Sequence, residues 1–195
     1  DYVPCDFLPS EGIDMIDFDS MLNYYWKFFI SGKDHATGEY MVFRAASLVD
    51  DHWEVLANVK ADSIAVASTD FTNYSAPVYF WAIVDNEIRL YGTPETTNPG
   101  LGEYKVIEPA SDAHVWTSVN WDQNAYLYGH PYLYAVDSKN NQVYEWDPIT
   151  NGLESGQKKL VAGNTDGLAV DDETHLNHPQ DVQSVNGTLY ISQGT

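Results

Sequence analysis

Pro131-Tyr-Leu-Tyr-Ala-Val-Asp137, then Ser138-Lys-Asn-Asn141, then Val143-Tyr-Glu-Trp146: an apolar run, a polar turn and a second short run. Runs rich in β-branched and aromatic residues on either side of a turn cluster are the signal of a β-hairpin. Beyond them, Asp147 to Gln157 is dense in Pro, Asn, Gly and Ser and reads as a loop, and Lys159-Leu-Val-Ala162 supplies a third run. The connection Gly163 to His178 leads to Pro179-Gln-Asp181-Val, after which Thr188-Leu-Tyr-Ile191 starts the pattern again. A strand pattern that restarts after about fifty residues predicts blades of a β-propeller.

The residues Leu133-Tyr-Ala-Val-Asp137, Asn141-Gln-Val143, Val161-Ala-Gly163, Leu176-Asn-His-Pro-Gln-Asp-Val182 and Asn186-Gly-Thr-Leu-Tyr190 carry a further indication. This stretch, about a third of the chain, resembles the NHL-repeat family of β-propellers. The resemblance implies an all-β fold of four-stranded antiparallel blades.

Working outward, residues 1–11 hold two prolines and Cys5 and read as an irregular lead-in. A first unit, 12–60, has strands expected at Ile13 to Phe18, Tyr24 to Ile30, Glu39 to Arg44 and His52 to Ala57. A second, 61–110, has them at Ser63 to Ala67, Val78 to Val84, Ile88 to Tyr91 and Glu103 to Ile107. The third, 111–163, opens at His114 to Val119 and continues into the quoted stretch, and a partial fourth covers 179–195. Third strands begin at Tyr40, Ile88 and Val143, 48 and 55 residues apart, and fourth strands at Trp53, Tyr104 and Lys159, 51 and 55 apart. That recurrence carries the argument better than any single strand does.

About three and a half blades do not close a ring, and each blade buries its faces on its neighbours. Three expectations follow: the chain is a fragment of a longer protein, a second chain completes the ring, or Asp1 to Leu8 adds an edge to a small four-bladed ring.

Composition narrows the partners. Nine Lys and Arg face 29 Asp and Glu, for a formal charge of −20. Such a surface repels phosphate backbones and anionic lipid, so nucleic acid and membrane-surface partners are not expected. No run of eighteen apolar residues is present, so no membrane span is expected. A single cysteine, Cys5, rules out an internal disulfide. The chain begins at Asp1 without an initiating Met, as either a processed mature N-terminus or the edge of a longer sequence would; with two N-glycosylation sequons, at Asn73 and Asn186, an extracellular or secreted location is expected.

Four acids, Asp14, Asp62, Asp112 and Asp181, stand at the entrances of the expected first strands. First strands of a propeller line its channel, so these carboxylates would ring the mouth and attract calcium or another hard cation. The competing reading is that Asp simply favours loop-to-strand turns, where its side chain bonds nearby amides. His114 is the candidate for a channel-facing base, while His175 and His178, spaced by three beside Asp171, Asp172 and Glu173, are a weaker metal pair.

No nucleophile elbow, zincin helix, Walker loop or paired-Cys motif occurs. Recurring tryptophans, Trp53, Trp81, Trp116, Trp121 and Trp146, would serve either as core packing or as platforms for sugar faces. The second unit, Ser63-Ile-Ala-Val, Pro77-Val-Tyr-Phe and Asn86-Glu-Ile-Arg89, is faintly similar to the fucose-binding propeller lectins. That family sets an Arg and a Glu between blades; here Arg89 and Glu145 do not repeat. The expectation is a non-catalytic binding or assembly module with a protein or glycan partner, or self-assembly. A propeller enzyme of lyase or lactonase type, with a cation at the channel mouth, and a carbohydrate-binding lectin remain the alternatives.

Overall fold

The computed structural model describes residues 12–21, 27–45, 53–68, 77–122, 132–147, 158–170 and 174–194. The strands are β1 (Ile13–Met21), β2 (Lys27–Asp34), β3 (Tyr40–Ala45), β4 (Glu54–Ala57), β5 (Ser63–Ser68), β6 (Val78–Val84) and β7 (Glu87–Gly92). They continue as β8 (Tyr104–Glu108), β9 (Trp116–Trp121), β10 (Leu133–Asp137), β11 (Gln142–Trp146), β12 (Lys159–Ala162), β13 (Pro179–Val185) and β14 (Thr188–Gln193). No helix occurs among the described residues. The strands form four antiparallel sheets, in the orders β1-β2-β3-β4, β5-β6-β7-β8, β9-β10-β11-β12 and β13-β14.

Each sheet is therefore a meander in chain order, and the runs at Tyr40, Ile88 and Val143 are third strands of three successive sheets. Boundaries shift by a few residues from expectation. β1 extends three residues past Phe18, β9 starts two residues after His114, and β13 starts at Pro179, before Val182. Residues 24–26 of the expected second strand, the lead-in with Asp1 to Leu8 and Cys5, and Asn73 all lie outside the described residues.

Turn chemistry explains the tight connections. Asp85 and Asn86, with φ of 51° and 64°, join β6 to β7, and Asn186 and Gly187, at 52° and 79°, join β13 to β14. Two consecutive left-handed residues make the hairpin turn whose twist matches the flanking strands, and Asn, Asp and Gly tolerate it best.

The sheets stack face to face in chain order. Phe29, Val42 and Leu56 from the first sheet meet Ile64, Phe80, Ala82 and Tyr91 from the second. Trp81, Ile83 and Leu90 on the other face of that second sheet meet Trp116, Trp121, Leu133 and Trp146 from the third. Tyr134, Val136 and Val143 of the third then pack against Val182, Leu189 and Ile191 of the last. Successive residues of β6 thus point into two different cores, the period-two rule of a strand. Because both its faces are covered, the sequence Val-Tyr-Phe-Trp-Ala-Ile-Val is apolar throughout and buried at every position. Each large side chain so buried contributes roughly 1.5–3 kcal/mol.

Candidate functional site

β1, β5, β9 and β13, the first strands of the four sheets, share one cavity of about 270 Å³. Its walls are polar: Asp17 and Asp19 from β1, Asp62 and Ser63 at the start of β5, Thr117, Ser118 and Asn120 from β9, and Gln180, Asp181 and Gln183 from β13.

A first strand pairs within its sheet on one side only, so the amides on its far edge need acceptors from elsewhere. The preceding first strand supplies them through side chains. The Ile64 amide donates to Asp17 Oδ2 and the Val66 amide to Asp19 Oδ2, both at 2.7 Å. The Val119 amide donates to Ser63 Oγ at 3.2 Å, and the Ser184 amide to Asn120 Oδ1 at 2.8 Å. Asp122, directly after β9, accepts the Gly187 amide at 2.8 Å and the Ser184 hydroxyl at 2.5 Å. The Ser118 hydroxyl donates to Asp181 Oδ1 at 2.5 Å. A strand-to-strand relay of short polar side chains thus ties the four sheets together around the cavity.

Burial raises the pKa of Asp17 above its ordinary value of 3.8, and the charge of Asp181 adds to the effect. The Ile64 and Phe18 amides and the Ser63 hydroxyl oppose it without cancelling it.

The four acids expected at the mouth divide. Asp62 and Asp181 line the cavity, while Asp14 and Asp112 are not among its lining residues. Asp14 bonds His35 Nε2 at 2.7 Å, and Asp62 pairs with Lys60 Nζ at 2.7 Å. Asp112 lies in the turn before β9, where its carbonyl accepts from Lys139 Nζ. On β1 the cavity is lined by Asp17 and Asp19, three and five residues further along the strand than Asp14. Among the described residues, no group of three or more His, Cys, Asp or Glu comes together to hold a metal ion. The cavity offers cation-attracting character without a ready-made cage.

His114, expected to face the channel, is likewise not among the cavity's lining residues; its ring packs against side chains of the third sheet. Its ring stacks on Trp116 at 5.0 Å, and its Nδ1 lies 2.5 Å from Asp137 Oδ2. Lys158 Nζ reaches His114 Nε2 at 3.1 Å and Glu108 of β8 at 2.5 Å, passing over the rings of Trp116 and Tyr144. Asp137 is fully buried and also accepts from the Val115 amide and from Asn140 Nδ2. The cluster joins β8 to β9, β10 and β12, and nothing in the sequence places its four charged or titratable members together.

Among the described residues, His175 contacts Asp166 at 3.2 Å and His178 contacts Asn177 at 2.7 Å; Asp171, Asp172 and Glu173 lie outside the described residues. Trp81, Trp116, Trp121 and Trp146 are buried between sheets, so these four pack the core rather than present a sugar platform. Arg89 is engaged by Glu87 and the Tyr104 ring, and Glu145 by Lys159. Asn186 stands exposed at the tip of the β13–β14 turn, where its sequon is accessible.

No protein-family model matches the chain, and no curated protein matches it.

Proposed function

We propose that the chain is an arc of a β-propeller, of the kind its NHL-like segments imply, and that it serves as an extracellular, non-catalytic binding or assembly module. The observation that carries this reading is the polar cavity shared by the first strands of the four described sheets. Successive meanders with their first strands side by side around one space are what propeller blades require. The exposed sequon at Asn186 supports an extracellular setting, and the −20 charge supports a neutral or cationic ligand.

The ligand-binding surface, in this reading, is the cavity wall of Asp17, Asp19, Asp62 and Asp181, with the neighbouring hydroxyls and amides orienting what enters. A ligand that binds only the folded form raises the melting temperature by mass action. The test is a thermal titration at fixed ionic strength with Ca²⁺, a lysine-rich peptide and neutral oligosaccharides. A saturable rise with one of them, removed by Asp17→Asn with Asp181→Asn but retained in Asp14→Asn, supports the reading. Responses equal to those of matched NaCl would sink it.

A further inference from the structure

Most polar atoms around the cavity already have partners within the protein. Both Asp17 oxygens accept backbone amides, Oδ1 from Phe18 at 2.9 Å and Oδ2 from Ile64 at 2.7 Å. The Ser63 hydroxyl bonds Asp17, the Ser118 hydroxyl donates to Asp181 Oδ1, and the Thr117 hydroxyl donates to the Gln180 carbonyl.

Two atoms on the neighbouring strands β9 and β13 differ. Among the described residues, Asp181 Oδ2 accepts no hydrogen bond, because the Ser118 hydroxyl and the Val182 amide both go to Oδ1. Asn120 is only 9% exposed, and its Oδ1 accepts the Ser184 amide. A backbone N–H can only donate, so the Asn120 side chain cannot be turned the other way round. Its NH2 group is left without a partner among the described residues. The unpaired side-chain atoms sealed from solvent there are the indole nitrogens of Trp53, Trp81, Trp116 and Trp121. Asn120 Nδ2 is not one of them, and Asn120 lines the cavity. The wall thus holds a buried, unmatched donor open to the cavity, one strand away from an unmatched carboxylate oxygen. An unmatched buried donor is costly, and a ligand oxygen placed on it recovers that cost.

Size and charge narrow the occupant. At about 270 Å³ the cavity lies just below the roughly 300–1,000 Å³ of sites for drug-sized ligands, so it suits a molecule of one ring. Asp17, Asp19, Asp62 and Asp181 favour a positive charge. A metal ion finds no group of three ligand residues among those described, and the Asn120 NH2 would repel it. A plain alkylammonium ion satisfies Asp181 but brings no oxygen to Asn120. A neutral sugar does the reverse.

We propose that the cavity takes a single-ring amino sugar, with its ammonium group on Asp181 Oδ2 and one of its hydroxyl oxygens on Asn120 Nδ2, an assignment that rests on the cavity being the binding surface. The ammonium–carboxylate bond is charge-assisted and supplies most of the affinity. The Asn120 contact supplies the selection for a hydroxylated amine.

The experiment is calorimetric titration of the 195-residue chain at fixed ionic strength, at a pH where the amines are protonated. The ligands are D-glucosamine, D-glucose, cyclohexylamine, Ca²⁺ and a lysine-rich peptide. Glucosamine is expected to bind saturably, about tenfold or more tightly than glucose or cyclohexylamine. Asp181→Asn keeps an oxygen for Ser118 and Val182 but removes the charge, and weakens glucosamine by about tenfold or more. Asp14→Asn makes the same change in net charge away from the cavity and leaves binding as it was. Asn120→Asp keeps an oxygen for the Ser184 amide and loses the NH2, so both amines still bind but glucosamine loses its advantage. Equal binding of glucosamine and glucose, or of glucosamine and cyclohexylamine, by the unaltered chain overturns the proposal whatever the variants do. An equal loss in Asp14→Asn overturns it as well. Saturable binding of Ca²⁺, glucose or the peptide without glucosamine overturns the ligand class alone and leaves the cavity as the binding surface. No saturable binding of any of the five overturns both.

Discussion

The Asp17 carboxylate accepts the backbone N–H of Ile64 at 2.7 Å, although the two residues lie in different sheets. The bond does for β5 what a neighbouring strand would do in a wider sheet, and it fixes how the first two sheets sit against each other. The same carboxylate faces the shared cavity, so support and surface character meet in one side chain.

Its titration is expected to be displaced upward. A carboxyl whose folded pKa is raised holds its proton more readily when folded than when unfolded. Asp17 therefore contributes stability below the unfolded value near 3.8 that is lost as pH rises through the higher folded value. A carbon-detected NMR titration of the Asp17 carboxyl is expected to give a midpoint above 3.8; a midpoint at or below it contradicts the burial argument. Asp17→Ala, which leaves the Ile64 amide without its acceptor, costs about 1–3 kcal/mol by urea denaturation.

Glu95 behaves in the opposite sense. Burial works to raise its pKa, but the Thr93 hydroxyl and the Arg44 guanidinium overcome it and bring the value down to about 2. Arg44 grips both Glu95 oxygens, at 2.8 and 2.9 Å, and holds Glu54 with its other nitrogen. The stabilisation is present above the unfolded pKa near 4.5 and is lost as pH falls through the value near 2. With partial solvent screening allowed for, it amounts to roughly 2 kcal/mol. Arg44→Ala is expected to destabilise by a similar amount at neutral pH, and the gap from wild type to narrow as the pH is taken below 4.5. A gap that is constant with pH would mean the pair contributes packing only.

Trp81 gives a test of the core between the second and third sheets. It is fully buried, yet among the described residues its indole N–H has no hydrogen-bond partner. Trp81→Ala is expected to cost about 3–5 kcal/mol through lost contacts and a cavity. Trp81→Phe removes the unsatisfied donor along with part of the ring, so its cost stays well under half of that. Near-equal losses in the two variants, measured by chemical denaturation, would mean the indole nitrogen has a partner in solution.

Two glycines separate conformation from crowding. Gly163 has φ of 82°, and a Cβ there would lie 2.2 Å from the Asn141 carbonyl oxygen. Gly187, at 79°, has nothing within 4 Å of that position. Gly187→Ala is expected to cost about 1 kcal/mol, the left-handed backbone penalty alone. Gly163→Ala is expected to cost at least twice as much, because the turn between β12 and the following loop must move. Equal melting temperatures for the two variants would remove the steric part of the argument.

The strand order was legible because its signals are local. Alternating apolar residues, the Asp85-Asn86 and Asn186-Gly187 turns and the recurrence of third strands each depend on a few neighbouring residues. The cavity was legible only in part. Asp62 and Asp181 were recognisable from their place at the entrance of an expected first strand, but that the cavity meets β1 at Asp17 and Asp19, further along than Asp14, depends on how the sheets stack. The bond from Ile64 to Asp17 spans 47 residues, and the one from Ser184 to Asn120 spans 64. His114 misled for the same reason: its neighbour Asp112 is near in sequence, but its partner Asp137 arrives with the next strand and holds the ring on the third sheet.

The stacked indoles of Trp81 and Trp121, 4.7 Å apart with planes 23° from parallel, come from two different sheets. Chromophores that close share their excited states, so their coupled circular-dichroism band is an intrinsic optical gauge of one sheet-to-sheet seam. Lost early in a thermal ramp, while backbone ellipticity persists, the band would time the parting of the second and third sheets without any label.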